Sequence, residues 1–99
     1  MDKTPNQIVQ MPKYKSHKTI SALKIDSMIS GEGRVYLDFL EYGRLSLVAE
    51  EEDTIRIVTA IGRHAAETGE NDNGYYVVYE DGYKSWSPTK AFEEGYTKM

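Results

Sequence analysis

The 99-residue chain reads as a single α+β domain. The expected architecture is a mostly antiparallel sheet of about five strands, one amphipathic helix and a short C-terminal helix. Three observations predict it. Val35, Leu37 and Phe39 alternate with Arg34, Tyr36 and Asp38, the period-two pattern of a half-buried strand. Ile57, Val58, Ile61 and Ala65 recur at helical spacing behind an acidic start. Tyr75 to Tyr79 is wholly aromatic and β-branched, and Asp81-Gly82 follows as a turn signal.

The elements follow in chain order. Residues 1–13 read as an extended arm and 14–99 as the domain. Pro5 and Pro12 lack amide donors and bias their predecessors away from helix. Residues 18–25 form a first strand. Its alternation through Ile20, Ala22, Leu23 and Ile25 is imperfect, which suggests a bulge or an edge position. Gly31-Glu32-Gly33 is a turn into the strand Arg34–Phe39. Glu41-Tyr42-Gly43 turns the chain again into Arg44–Val48, so these two strands form a hairpin. Glu50, Glu51, Glu52 and Asp53 open a helix with Asp53 as a capping candidate. Arg63 and His64 lie near its end and Gly69 is the stop. Gly62 weakens this helix by about 1 kcal/mol against alanine. A strand over Thr54–Val58 is the rival reading.

Glu70 to Gly74 is a polar loop. The strand from Tyr75 turns through Asp81-Gly82, the preferred pair of a two-residue type I′ loop. That register puts Val77, Tyr79, Lys84 and Trp86 on one face. Tyr76, Val78, Tyr83 and Ser85 take the other. Ser87 then reads as an N-cap and Pro88 as the first residue of a short helix through Phe92 and Glu94, with Gly95 as its stop. Tyr96 to Met99 adds a last strand.

Composition narrows the function. Charged residues make up 28% and hydrophobic ones 39%, which fits neither a membrane span nor a disordered chain. No secretory signal precedes the domain, so a cytoplasmic location is expected. Cysteine is absent, which removes thiol nucleophiles and cysteine-based zinc sites. The two histidines, His17 and His64, have no partner at metal-ligand spacing. No nucleophile elbow or phosphate loop is present. A non-enzymatic protein without metal or cofactor is expected.

Charge is divided. Residues 1–24 carry five lysines against Asp2, a net +4, while residues 25–99 carry seven basic and fifteen acidic side chains, a net −8. The basic arm either reaches an acidic partner or docks on its own acidic body or a sister subunit. The acidic body repels a phosphate backbone and argues against direct nucleic-acid binding. The other signal is aromatic. Five of the eight tyrosines (Tyr75, Tyr76, Tyr79, Tyr83 and Tyr96) lie in the last quarter, with Trp86 and Phe92. Part of that set fills the core, and the rest forms an aromatic patch suited to an interface. Lys84 beside Tyr79 and Trp86 would allow stacking of a base or a phosphate contact.

The run Gly74 to Pro88 (GYYVVYEDGYKSWSP), with Ala91-Phe92-Glu93-Glu94-Gly95-Tyr96 after it, resembles the C-terminus of a group of small proteins encoded by tailed bacteriophages and prophages. Tyr14-Lys15-Ser16-His17-Lys18-Thr19 and Ala22-Leu23-Lys24-Ile25 resemble the start of the same group. The likeness covers roughly 40 residues at the two ends and implies an origin, with no catalytic residue to carry over. It makes a binder of host machinery the expected function: a protein that counters host defence by binding a host protein or defence complex in the host cytoplasm, as a homo-oligomer. Glu50, Glu51, Glu52 and Asp53 would mimic DNA phosphates toward a host nucleic-acid-binding protein. One alternative is an oligomeric sponge for a signalling nucleotide, held by Tyr79, Lys84 and Trp86 at a subunit interface, with Tyr83 beside them. Another is a virion decoration or assembly component.

Overall fold

Alternation and short turns dictate an antiparallel architecture, and the chain adopts one. The computed structural model describes residues 11–15 and 19–98. Among the described residues the order is β1 (Lys13–Lys15), β2 (Thr19–Lys24), β3 (Ser27–Gly31), β4 (Arg34–Phe39), β5 (Gly43–Val48), α1 (Glu52–Thr68), β6 (Tyr75–Tyr79), β7 (Lys84–Ser87), α2 (Thr89–Gly95) and β8 (Thr97–Lys98). The α+β class, the antiparallel pairing and both helices hold. The single sheet of about five strands does not. The strands divide into one sheet ordered β7-β6-β2-β1-β8 and another ordered β3-β4-β5. The division falls at Ile25-Asp26. There the chain leaves β2, the Ile25 amide donates to the Gly74 carbonyl, and the Asp26 amide donates to that of Asp38. The arm expected over residues 1–13 lies outside the described residues up to residue 10, as does His17. Lys13 already belongs to β1, paired with Ser21.

The uneven alternation of the first strand has a different cause from the expected bulge or edge. β2 is the middle strand of its sheet and is buried on both faces. Leu23 and Ile25 join Val35, Leu37, Phe39, Ile57, Ile61 and Tyr76 in a core beneath α1 and the second sheet. Ile20 and Ala22 join Tyr75, Val77 and Phe92 in a second core beneath α2. A strand buried on both sides loses its polar alternation, so its pattern resembles a defect.

The long helix forms as its periodicity predicts, not as a strand over Thr54–Val58. Thr54, Ile57 and Ile61 are its buried stripe, and Gly69 ends it at φ 75 with its amide donating to the Ala65 carbonyl. Glu51 occupies the N-cap without a side-chain hydrogen bond, so the expected cap by Asp53 does not form. At α2, Pro88 takes the N-cap position instead of Ser87, and Thr89 opens the helix. β3 carries no legible pattern (Ser-Met-Ile-Ser-Gly) and was not expected.

Register at the C-terminal hairpin differs by one residue from the expectation. Tyr75 pairs with Ser87, Tyr76 with Trp86, Val77 with Ser85 and Val78 with Lys84. Among the described residues Glu32 alone, besides glycines, has positive φ, so Asp81 cannot take the first position of the expected Asp81-Gly82 type I′ turn. Instead the Gly82 amide closes a turn on the Tyr79 carbonyl, Gly82 takes φ 92, and the loop holds three residues. A one-residue slip exchanges the faces of one strand relative to the other. Tyr76, Val78, Lys84 and Trp86 now share the face toward α1, and Tyr79 lies on the opposite face with Tyr75 and Val77.

Candidate functional site

The start of α1 and the tip of the β6–β7 hairpin meet, and one arginine joins them. Arg56 Nη2 donates to Asp53 Oδ1 at 2.7 Å and to the Lys84 carbonyl at 2.8 Å. Its guanidinium carbon stands 4.5 Å from the centroid of the Tyr83 ring. The hydrogen bond donated to Asp53 holds the guanidinium pKa above its ordinary value, against the opposing effect of burial. Arg56 Nε is buried and has no hydrogen-bond partner, which fits a side chain laid flat under an aromatic ring. The ion pair with Asp53 is the i,i+3 contact a helix surface allows.

Members of two candidate sets about 30 residues apart in the chain, Asp53 of one and Tyr83 and the Lys84 carbonyl of the other, thus meet at Arg56. Glu50, Glu51 and Glu52 are exposed at the head of α1, and Asp53 is half-buried against Arg56. Ile55 and Tyr83 are large apolar side chains left about half exposed, at 51% and 48%. Arg56 itself was not singled out from the sequence. Its spacing from Asp53 was a readable signal; its reach to a strand 28 residues later was not.

Tyr79 and Trp86 separate. Tyr79 faces α2, with its ring 5.9 Å from that of Tyr83. Trp86 packs on the α1 side, 5.6 Å edge-to-face from His64, and its Nε1 donates to the Asn73 carbonyl at 2.6 Å. Within one chain Tyr79 and Trp86 therefore cannot stack on one planar ligand. This corrects the face assignment that set Tyr79 beside Trp86.

A second polar cluster was also missed. Asp72 Oδ2 accepts the Thr89 amide at 2.9 Å, and Oδ1 accepts the Thr89 hydroxyl at 2.6 Å and the Gly74 amide at 3.0 Å. It therefore caps α2 from the loop before β6, a role expected of Ser87. His64 Nε2 lies 3.6 Å away. Burial raises the Asp72 carboxyl, but the Thr89 and Gly74 hydrogen bonds and the His64 charge outweigh it, so its pKa is lowered. Deeper in, burial and the charge of Asp53 push the Tyr76 phenol up to about 12.

Among the described residues no three metal-ligating side chains gather. No described helix is long and apolar enough to cross a membrane. No family model, curated protein or solved structure matches the chain.

Proposed function

We propose that this is a phage-encoded, non-enzymatic binding protein that counters host defence by engaging a host protein through the α1–hairpin surface. The phage origin is drawn from the resemblance of the two chain ends. One observation carries the choice of surface: Arg56 is fixed by Asp53 and the Lys84 carbonyl under a half-exposed Tyr83 ring. An ordered arginine under an exposed tyrosine pairs two residue types that dominate interface energetics. Preordering them spares the entropy that binding would otherwise cost.

Exposed Glu50, Glu51 and Glu52 flank the patch and suit a partner with a basic surface, such as a host nucleic-acid-binding protein. Capture from host lysate with the full chain as bait tests this. The wild type is expected to retain a basic partner. Tyr83→Ala and the triple alanine variant at Glu50, Glu51 and Glu52 should lose it. A partner retained by both variants would overturn the reading.

A further inference from the structure

We infer that the free edge of β3 is a strand-addition site for an extended segment of a partner polypeptide carrying a basic residue at each end. This goes beyond the α1–hairpin surface and does not depend on it. A sheet edge exposes unpaired backbone donors and acceptors, and proteins ordinarily blunt it with charge, proline, shortness or a cover.

The other edges are blunted. β7 has α1 packed against it and its Lys84 carbonyl taken by Arg56. β8 is two residues long. β5 begins on Gly43 at φ 102 and carries the charged Arg44. β3 is five residues long, with neither charge nor proline, and its Ile29 is 47% exposed.

Its ladder shows which groups are open. Glu32 and Gly33 have φ 47 and 78, so they form the two-residue type I′ loop that closes on Gly31 and Arg34. The closing pair is hydrogen-bonded, and bonded pairs alternate in an antiparallel ladder. Ile29 with Tyr36 is therefore bonded. Met28 and Ser30 direct their N–H and C=O away from β4. Among the described residues no other backbone hydrogen bond reaches them.

Charge selects the occupant. Exposed Asp26 and Glu32 flank the strand, Glu32 in the turn and Asp26 at the break from β2, where the Asn73 side-chain amide donates to the Asp26 carbonyl. Two-fold pairing of β3 with a second copy, centred on Ile29, would set Asp26 against the copy's Glu32. A seven-residue segment with lysine or arginine at both ends reverses that repulsion. An apolar residue at its centre meets Ile29 beside the Tyr36 ring, which lies in register with Ile29 on β4.

Amide hydrogen exchange on the full chain tests the site, with the capped peptide Lys-Thr-Thr-Val-Thr-Thr-Lys and its glutamate-ended counterpart as probes. The basic peptide should slow the Met28 and Ser30 amides about tenfold or more, and the acidic one should not. The double variant D26K/E32K should reverse that preference while protection at Leu37 and Tyr76 reports an intact fold. Equal effects of both peptides, or no protection at β3, would overturn the site. A dimer in native mass spectrometry that Ile29→Lys dissolves would overturn the partner assignment in favour of a second copy.

Discussion

Two hairpins in this protein carry opposite lessons. The β3–β4 hairpin turns through Glu32-Gly33, a pair with an ill-suited first residue, and still makes the two-residue I′ loop, with Glu32 at φ 47. The β6–β7 hairpin contains Asp81-Gly82, a favoured pair for that loop, and makes a three-residue loop instead. Turn chemistry ranks them one way and the fold ranks them the other. What differs is the far end of each hairpin. β7 ends on Trp86 and Ser87, held by the Asn73 carbonyl, by His64 and by close packing on Gly74. The two-residue register would put Trp86 on the α2 side and forfeit those contacts. The far end of β3–β4 is held too, by the Asp26 amide and the Ser27 hydroxyl on Asp38, but in the same register that its two-residue turn gives.

The comparison breaks most sharply at Gly74. A Cβ there would meet the Ser87 carbonyl oxygen and the Trp86 indole nitrogen at 2.3 and 2.5 Å, and its φ is 69. Gly74→Ala is expected to cost about 3 kcal/mol or more, read as a lower urea midpoint. A cost below about 1 kcal/mol would mean that this end does not set the register. Asp72→Ala comes next, at about 2 kcal/mol, because it leaves the Thr89 and Gly74 donors unpaired.

Acid should show the same group. The Asp72 pKa is lower folded than unfolded, so its stabilisation is complete above the unfolded value and lost as pH falls through the folded one. Wild-type stability should therefore fall more steeply in acid than that of Asp72→Ala. Parallel pH curves from thermal melts would remove the assignment.

Turn substitutions should matter less. Gly82→Ala, at φ 92 with open space around it, is expected to cost about 1 kcal/mol in thermal denaturation. The smallest effect is a gain. Glu32→Asn suits the left-handed first position of a type I′ loop and should add about 0.5 kcal/mol. If Asn lowers the melting temperature instead, the β3–β4 turn is not governed by local backbone preference.

Much of the fold was legible in the sequence because its signals are local. The Ile57–Ile61 stripe and the Gly69 stop placed α1, and Val35, Leu37 and Phe39 placed β4. β3 was hidden because Ser-Met-Ile-Ser-Gly on an open edge buries too little to impose a period. Of the candidate site, Glu50 to Asp53 and Tyr83 were legible as surface chemistry. Arg56 was not, because its roles at Tyr83 and Lys84 exist only once α1 lies along β7.

By itself the sequence determined the α+β class, the antiparallel hairpins, the helix positions and the acidic and aromatic segments. Periodicity, glycine stops and charge act within a few residues and need no tertiary partner. Only the tertiary structure decided that the strands split into two sheets, that β2 is buried on both faces, that Trp86 turns toward His64 and Tyr79 away, and that Asp72 caps α2. Each of those depends on which of two nearly equal local conformations buries more apolar surface and leaves fewer polar groups unpaired. That balance is struck between segments far apart in the chain.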